Sequence, residues 1–211
     1  SLSASCSESL AKEHLLDGEP QYHVYATPRR LAMMVKNVKA VQADQHVVRK
    51  GPSVTAGMKD GAPTKALEGF ARSAGTSVAE LKIIHDGKQD IYAHEFTQTG
   101  QSLAALLSDI LTQALKKLPI PKVMRWGSST HTFVRPVHGL VMMHGTDTIS
   151  GSVLGLDSQN WTLGHRFLST EKVVFQQADD YATQLHNEGK VIASFAERRE
   201  VIEHGLNRLS A

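Results

Sequence analysis

The chain has 211 residues, 41% of them hydrophobic, with 23 Lys or Arg against 21 Asp or Glu and a formal net charge of +2. That length can bury one substantial core or two small ones, and no uncharged apolar run is long enough to span a bilayer. One cysteine, Cys6, excludes an internal disulfide and fits a reducing cytoplasm, and Ser1-Leu-Ser-Ala-Ser-Cys6 lacks the basic start and apolar core of a secretory signal.

In chain order, the segment up to about Leu16 is expected to be a helix with Leu10, His14 and Leu15 on one side, ended by Asp17-Gly18. Residues 22–25 and 30–35 are apolar or β-branched runs split by Thr27-Pro28, which predicts two strands or one bent strand. Pro28 has no N–H to give a ladder, so it marks an edge or a bulge. Residues 63–75 read as a short helix with Thr64 as N-cap, Leu67, Phe70, Ala71 and Ala74 on one face, and Gly75 as a left-handed stop. Ser77-Val-Ala-Glu80 is a capping-box pattern opening one more turn, and residues 81–85 and 91–96 flank Asp86-Gly87 as a hairpin.

Residues 102–118 carry the strongest helical period, with Leu103, Leu107, Ile110, Leu111, Ala114 and Leu118 on one stripe that Pro119 ends. Residues 137–143 and 148–154 are predicted strands joined at Gly145-Thr-Asp147, and residues 178–188 are predicted helical. From Lys190 another helix is expected, with Ile192, Phe195, Arg199, Ile202, Leu206 and Leu209 on a stripe still running at Ala211. An uncapped stripe leads us to expect a piece of a longer chain. The expected class is α+β, with mixed or antiparallel sheet elements, packed helices and a long final helix. The expected division is 1–100, 101–189 and 190–211, the last being the start of a connecting helix.

Charge is unevenly spread. Residues 110–146 contain no acid but include Lys116, Lys117, Lys122, Arg125 and Arg135; residues 20–59 contain one acid, Asp44, against seven Lys or Arg. A chain that is neutral in sum can thus present a basic face, the footprint of a polyanion binder.

Motif chemistry narrows the reading further. Ala71, Gly75, Val78 and Leu81 fit helix-turn-helix spacing, but Asp86-Gly87 arrives too soon to leave a recognition helix, so no DNA partner is expected. Eleven histidines form no ligand pair at helical spacing, so no metal site is expected. There is no P-loop, dinucleotide fingerprint or Gly-x-Ser-x-Gly elbow, and no nucleophile with an evident base, so no catalytic residue is expected here. What remains is Leu118-Pro-Ile-Pro-Lys-Val-Met-Arg-Trp-Gly127, Phe133-Val-Arg-Pro136 and Gly164-His-Arg-Phe167. Arg forks onto phosphate, Trp offers a stacking face, and Gly allows close backbone approach. A structural reading is equally physical: Trp126 in a core, with Arg125 or Arg135 on buried carbonyls or acids.

Those blocks, with Ala26-Thr-Pro-Arg-Arg-Leu-Ala32, Arg49-Lys-Gly-Pro52 and Pro63-Thr-Lys-Ala-Leu-Glu-Gly-Phe-Ala-Arg72, occur in an order that resembles the N-terminal part of the β subunit of bacterial heterotetrameric glycyl-tRNA synthetase. The resemblance runs from about Tyr22 to the last helix. Family members open with a strand and a Gly-Thr-Glu-Glu-Leu-Pro block and continue for several hundred residues, so it implies a fragment. It also implies an α2β2 cytoplasmic enzyme whose α subunit uses ATP and Mg to make glycyl-adenylate, while the β subunit supports charging by binding tRNA(Gly). On that basis Lys122, Arg125, Trp126, Arg135 and Arg166 are the expected tRNA contacts, assisted by Arg29 and Arg30. The alternative implied role is a scaffold or an interface with the α subunit.

Overall fold

The computed structural model of the chain describes residues 1–210 and is α+β, with six α-helices and several small sheets. Ala211, the last residue of the expected final helix, lies outside the described residues. The chain forms two compact units, Ala43–Gly100 and the two segments flanking it, Ser1–Gln42 and the residues from Gln101 onward. Residues 1–42 therefore group with the later chain, whereas the sequence division had set them with 43–100. The reason is apolar: Leu2, Cys6, Leu10 and Leu15 share one buried cluster with Leu103, Ile110 and Ala114.

The 43–100 unit is a three-stranded antiparallel sheet in the order Gln45–Ser53, Asp90–Gln98, Lys82–His85. The first of these strands was not expected from sequence, because Gln45, His46, Arg49 and Lys50 break its apolar pattern. Its register slips between Lys50 and Ser53, where Pro52 has no N–H to contribute. The Lys65–Ala74 helix forms as expected: the Thr64 hydroxyl accepts from the Leu67 N–H, and Gly75 closes the helix at φ 74°. Leu67 and Ala71 are fully buried on its inner side. Its Phe70 ring lies where a Cβ on Gly51 would stand, 2.6 Å away, so Gly51 is what lets helix and strand close up. Residues Val78–Glu80 make a single 3₁₀ turn, which removes the second helix a helix-turn-helix needs.

In the other unit, the Leu2–Lys12 helix packs on the Leu103–Lys116 helix, around a core that also takes in Met142, Ile149 and Val153. The first helix ends earlier than expected because His14 turns left-handed at φ 55°, which lets the Leu15 N–H donate to the Leu10 carbonyl at 2.9 Å. Burial pushes the Cys6 thiol up to about 11. Tyr22–Thr27 and Arg30–Val35 pair as one antiparallel hairpin, and Pro28-Arg29 forms its two-residue turn instead of an edge or bulge.

The predicted strands at 137–143 and 148–154 are broken into short pieces. The Ser158 hydroxyl accepts from the Met142 N–H at 3.0 Å, so a side chain occupies the place of a ladder partner. Leu154 and Gly155 both have positive φ, 54° and 75°, giving a tight two-residue turn between Ser152–Val153 and Leu156–Gln159. Trp161–Leu163 pairs antiparallel with Lys172–Val174. A second cluster of Val173, Phe175, Leu185 and Ala193 lies under Tyr25 and Tyr181. Burial raises the Tyr181 phenol above its ordinary range. The last helix starts at Phe195, not Lys190, because Lys190 is left-handed at φ 56°. Its Phe195, Ile202, Leu206 and Leu209 are exposed.

Candidate nucleic-acid interface

The two most unusual sequence blocks are the two arms of one small hairpin. The Leu103–Lys116 helix stops ahead of Pro119 and Pro121, and Met124–Arg125 then pairs antiparallel with Thr132–Phe133. Side chains alternate along such arms. Met124 and its partner Phe133 face a broad open cleft of about 2750 Å³ within this unit, whereas Arg125 and Trp126 do not line it. Arg125 is exposed on the other side and Trp126 is half-buried.

The remaining candidates converge. Arg29, Arg30, Lys122, Arg135 and Arg166 all line the same cleft, although they lie up to 137 positions apart in the chain (166 minus 29). Arg29 comes from the Pro28-Arg29 turn, Lys122 from the segment after the helix, Arg135 from the residues after the small hairpin, and Arg166 from the loop joining Trp161–Leu163 to Lys172–Val174. Lys36, Lys190 and Arg198 line it too, against two acids, Glu171 and Asp179. Asp179 is already paired with Lys36 at 3.0 Å. Cations lining a cleft focus the field on an approaching anion.

Hydrogen bonding separates these cations into two groups. The Arg30 guanidinium donates to the Leu163 carbonyl and, at 3.0 Å, to the Gly164 carbonyl. Arg198 donates to the Ile192 carbonyl at 2.9 Å and the Ala26 carbonyl at 3.0 Å, and Lys190 donates to the Asn187 carbonyl at 2.7 Å. These side chains fasten backbone to backbone. By contrast, the side chains of Arg29, Lys122, Arg135 and Arg166 are exposed and enter no ion pair and no side-chain hydrogen bond among the described residues. Arg166 has one contact of note, its guanidinium carbon lying 5.7 Å from the Phe167 ring centroid.

Sequence reading missed Lys36, Lys190 and Arg198 as cleft residues. Arg198 falls on a polar helix face with nothing in its spacing to mark it. Among the described residues no group of three or more His, Cys, Asp or Glu could hold a metal ion, and no helix is long and apolar enough to cross a membrane.

Comparison with known proteins assigns the family. The model of one protein family, described as "Glycyl-tRNA synthetase beta subunit", matches residues 1–211. The chain belongs to the glycyl-tRNA synthetase β subunit family. It is 62% identical over 203 residues to the glycine–tRNA ligase β subunit of Neisseria meningitidis serogroup C (strain 053442), covering 96% of this chain and 30% of that protein. It is 44% identical over 190 residues to the corresponding subunit of Coxiella burnetii, covering 90% of this chain and 28% of that one. A third relative, from Chromohalobacter salexigens, is 44% identical over 180 residues, covering 85% and 26%. The chain thus spans about 30% of the length of the β subunits it matches.

Proposed function

We propose that this chain is a tRNA-engaging portion of a glycine–tRNA ligase β subunit. In this reading an α subunit performs ATP- and Mg-dependent activation of glycine in the cytoplasm, and this portion helps hold tRNA(Gly) for charging in an α2β2 assembly. One observation carries it: among the described residues Arg29, Lys122, Arg135 and Arg166 stand unpaired around a single cleft. Four cations spread around one broad cleft suit a run of phosphates better than a single small anion. Each phosphate neutralised by the protein contributes about 0.7–0.9 to the slope of log affinity against log salt.

The test is tRNA(Gly) binding by the full-length, assembled enzyme across a salt series, with Lys122→Ala, Arg135→Ala and Arg166→Ala combined. The expected result is weaker binding and a slope shallower by about 2 to 3. An unchanged affinity and slope, with the fold intact, would refute the reading.

A specific observation favours a second role beside it. The exposed apolar stripe of the Phe195–Ser210 helix suits assembly with another part of the subunit or with the α subunit. Leu206→Asp is then expected to lower the assembled fraction in sedimentation without changing the salt slope of RNA binding.

A further inference from the structure

The loop that carries Gly164-His-Arg-Phe167 is built more firmly than a connection between two short strands requires. It joins Leu163 to Lys172, which face each other across the strand pair. Arg30 holds its entry by donating to the carbonyls of Leu163 and Gly164. The His165 N–H donates to the Gly189 carbonyl at 2.6 Å, fixing the loop from the opposite side. A Cβ on Gly164 would stand 2.5 Å from the Ser169 Cβ and 2.7 Å from the Gly189 Cα, so only a glycine lets the turn close this tightly on Gly189.

The imidazole of His165 completes the turn. Its Nδ1 accepts from the N–H groups of both Phe167 and Leu168 at 3.2 Å, and the His165 carbonyl accepts from the Ser169 N–H at 3.0 Å. Three successive N–H groups of the turn, those of Phe167, Leu168 and Ser169, are thereby bonded back to His165.

What this framework presents is apolar and aromatic. Phe167 is 80% exposed and Leu168 66% exposed. The Arg166 guanidinium carbon lies 5.7 Å from the Phe167 ring centroid and the tilted His165 ring 6.1 Å from it, and the Phe167 side chain is otherwise largely open to solvent. A phenyl ring that is 80% exposed gains little from burial, so the firmly held backbone beneath it is unexplained by the ring's contribution to stability. An aromatic face with a guanidinium beside it, at the rim of a basic cleft, matches an unstacked base whose phosphate is held by the cation. Bases inside a duplex cannot use it, because both of their faces are already stacked.

We propose that the turn at residues 164–168 is a preformed stacking platform for an unpaired nucleotide of the bound RNA, with Phe167 taking the base and Arg166 the adjoining phosphate. The platform rests on the RNA reading of the cleft and specifies the state of the RNA it takes: single-stranded. Arg30, His165 and Gly189 are positioning residues that act through the turn. Because the turn is held before RNA arrives, little ordering cost is left for the binding step.

The test uses the full-length β subunit assembled with its partner, and three probes: a tRNA(Gly) transcript, a short single-stranded oligoribonucleotide, and a blunt RNA duplex of the same length. Phe167→Ala is expected to weaken binding of the single strand by roughly 5- to 150-fold, the span of one base–aromatic stack. Duplex affinity and the salt slope are expected to stay as in the wild type, and Phe167→Tyr, which keeps the ring, to restore binding. Arg135→Ala serves as the separate probe of the cleft. If Phe167→Ala leaves single-strand affinity unchanged while Arg135→Ala lowers affinity for tRNA, the platform is wrong and the cleft reading stands. Equal losses on duplex and single strand also overturn the platform. If Phe167→Ala instead dissociates the subunits in sedimentation while RNA binding per folded subunit is unchanged, the exposed ring is a protein contact and the proposal falls.

Discussion

Replacing Arg30 by Ala is expected to loosen one loop and leave the rest of the subunit intact. The guanidinium donates to two carbonyls, those of Leu163 and Gly164, across 133 and 134 sequence positions. A hydrogen bond from a charged donor contributes about 1.5–3 kcal/mol. Here the lower end applies, because Leu163 is exposed and water re-solvates its carbonyl once the arginine is gone. Two such bonds, discounted for that solvation, leave about 2 kcal/mol. The amides that report on the loop are those of Phe167, Leu168 and Ser169, each bonded within the turn to His165. A local opening made about 2 kcal/mol cheaper speeds their hydrogen exchange by roughly 30-fold. Exchange measured by mass spectrometry on peptides covering residues 163–171 reads this directly, with peptides from residues 43–100 as the internal control. Arg30→Lys is expected to recover only part of the protection, since both bonds come from the Arg30 Nη2 and a lysine stem does not hold its ammonium at that position as the planar guanidinium does. Unchanged exchange in the loop would refute the pinning role. A rise of equal size in residues 43–100 would show instead that Arg30 supports the whole fold.

Three further outcomes follow from other parts of the molecule. Gly164→Ala is expected to cost about 1–3 kcal/mol through overpacking against Gly189 and Ser169, seen as a lower denaturant midpoint for the transition of that unit. Leu67→Ala is expected to destabilise the 43–100 unit by about 2–5 kcal/mol, because Leu67 is completely buried; the check is a chemical melt followed by a probe in that unit. The Glu80 carboxyl is held below its ordinary value, first by the Thr76 hydroxyl and then by the Ser77 N–H and hydroxyl. A carboxyl depressed by folding stabilises the fold above its unfolded value, and that contribution is lost as pH falls through the depressed folded value. Glu80→Gln is therefore expected to flatten the acid limb of the pH–stability curve and leave the region above pH 6 sloped as in the wild type.

How far the sequence foretold this depends on whether a signal was local. The Lys65–Ala74 and Leu103–Lys116 helices carry their caps and stops beside them, Thr64 with Gly75 and Ser102 with Pro119, and both form where the spacing places them. The Gln45–Ser53 strand was invisible because its pairing partner lies beyond residue 89 and four of its five exposed side chains, those of Gln45, His46, Arg49 and Lys50, are charged or polar. The broken strands at 137–154 depend on Ser158 taking a ladder position on Met142, a contact no window of sequence contains. The same rule governs the site. The basic, acid-poor window announced a cation-rich surface, but nothing in it distinguishes Arg125, which the two-residue period of its strand turns away from the cleft, from Arg135, which lines it.

Arg29 and Arg30 show the same limit at its sharpest. They are adjacent and identical, yet one is exposed and unpaired while the other is spent on two carbonyls. The hairpin decides which is which. Arg30 begins the second strand, in register with Thr27, whereas Arg29 sits in the two-residue turn and projects beyond it. A guanidinium aimed along the sheet meets the Leu163–Gly164 backbone and becomes a strut; one displaced by a single residue meets solvent and becomes a charge offered to a ligand. RNA contact and scaffold are therefore not rival roles for the arginines as a set. The strut holds the turn that carries Arg166 and Phe167, so the structural arginine determines where the offered groups stand. It follows that Arg30→Ala and Phe167→Ala should be less than additive in single-strand affinity, because a turn no longer held by Arg30 has already lost part of what the ring supplies. Strict additivity in a double-mutant cycle on the single-stranded probe would break the link between strut and platform.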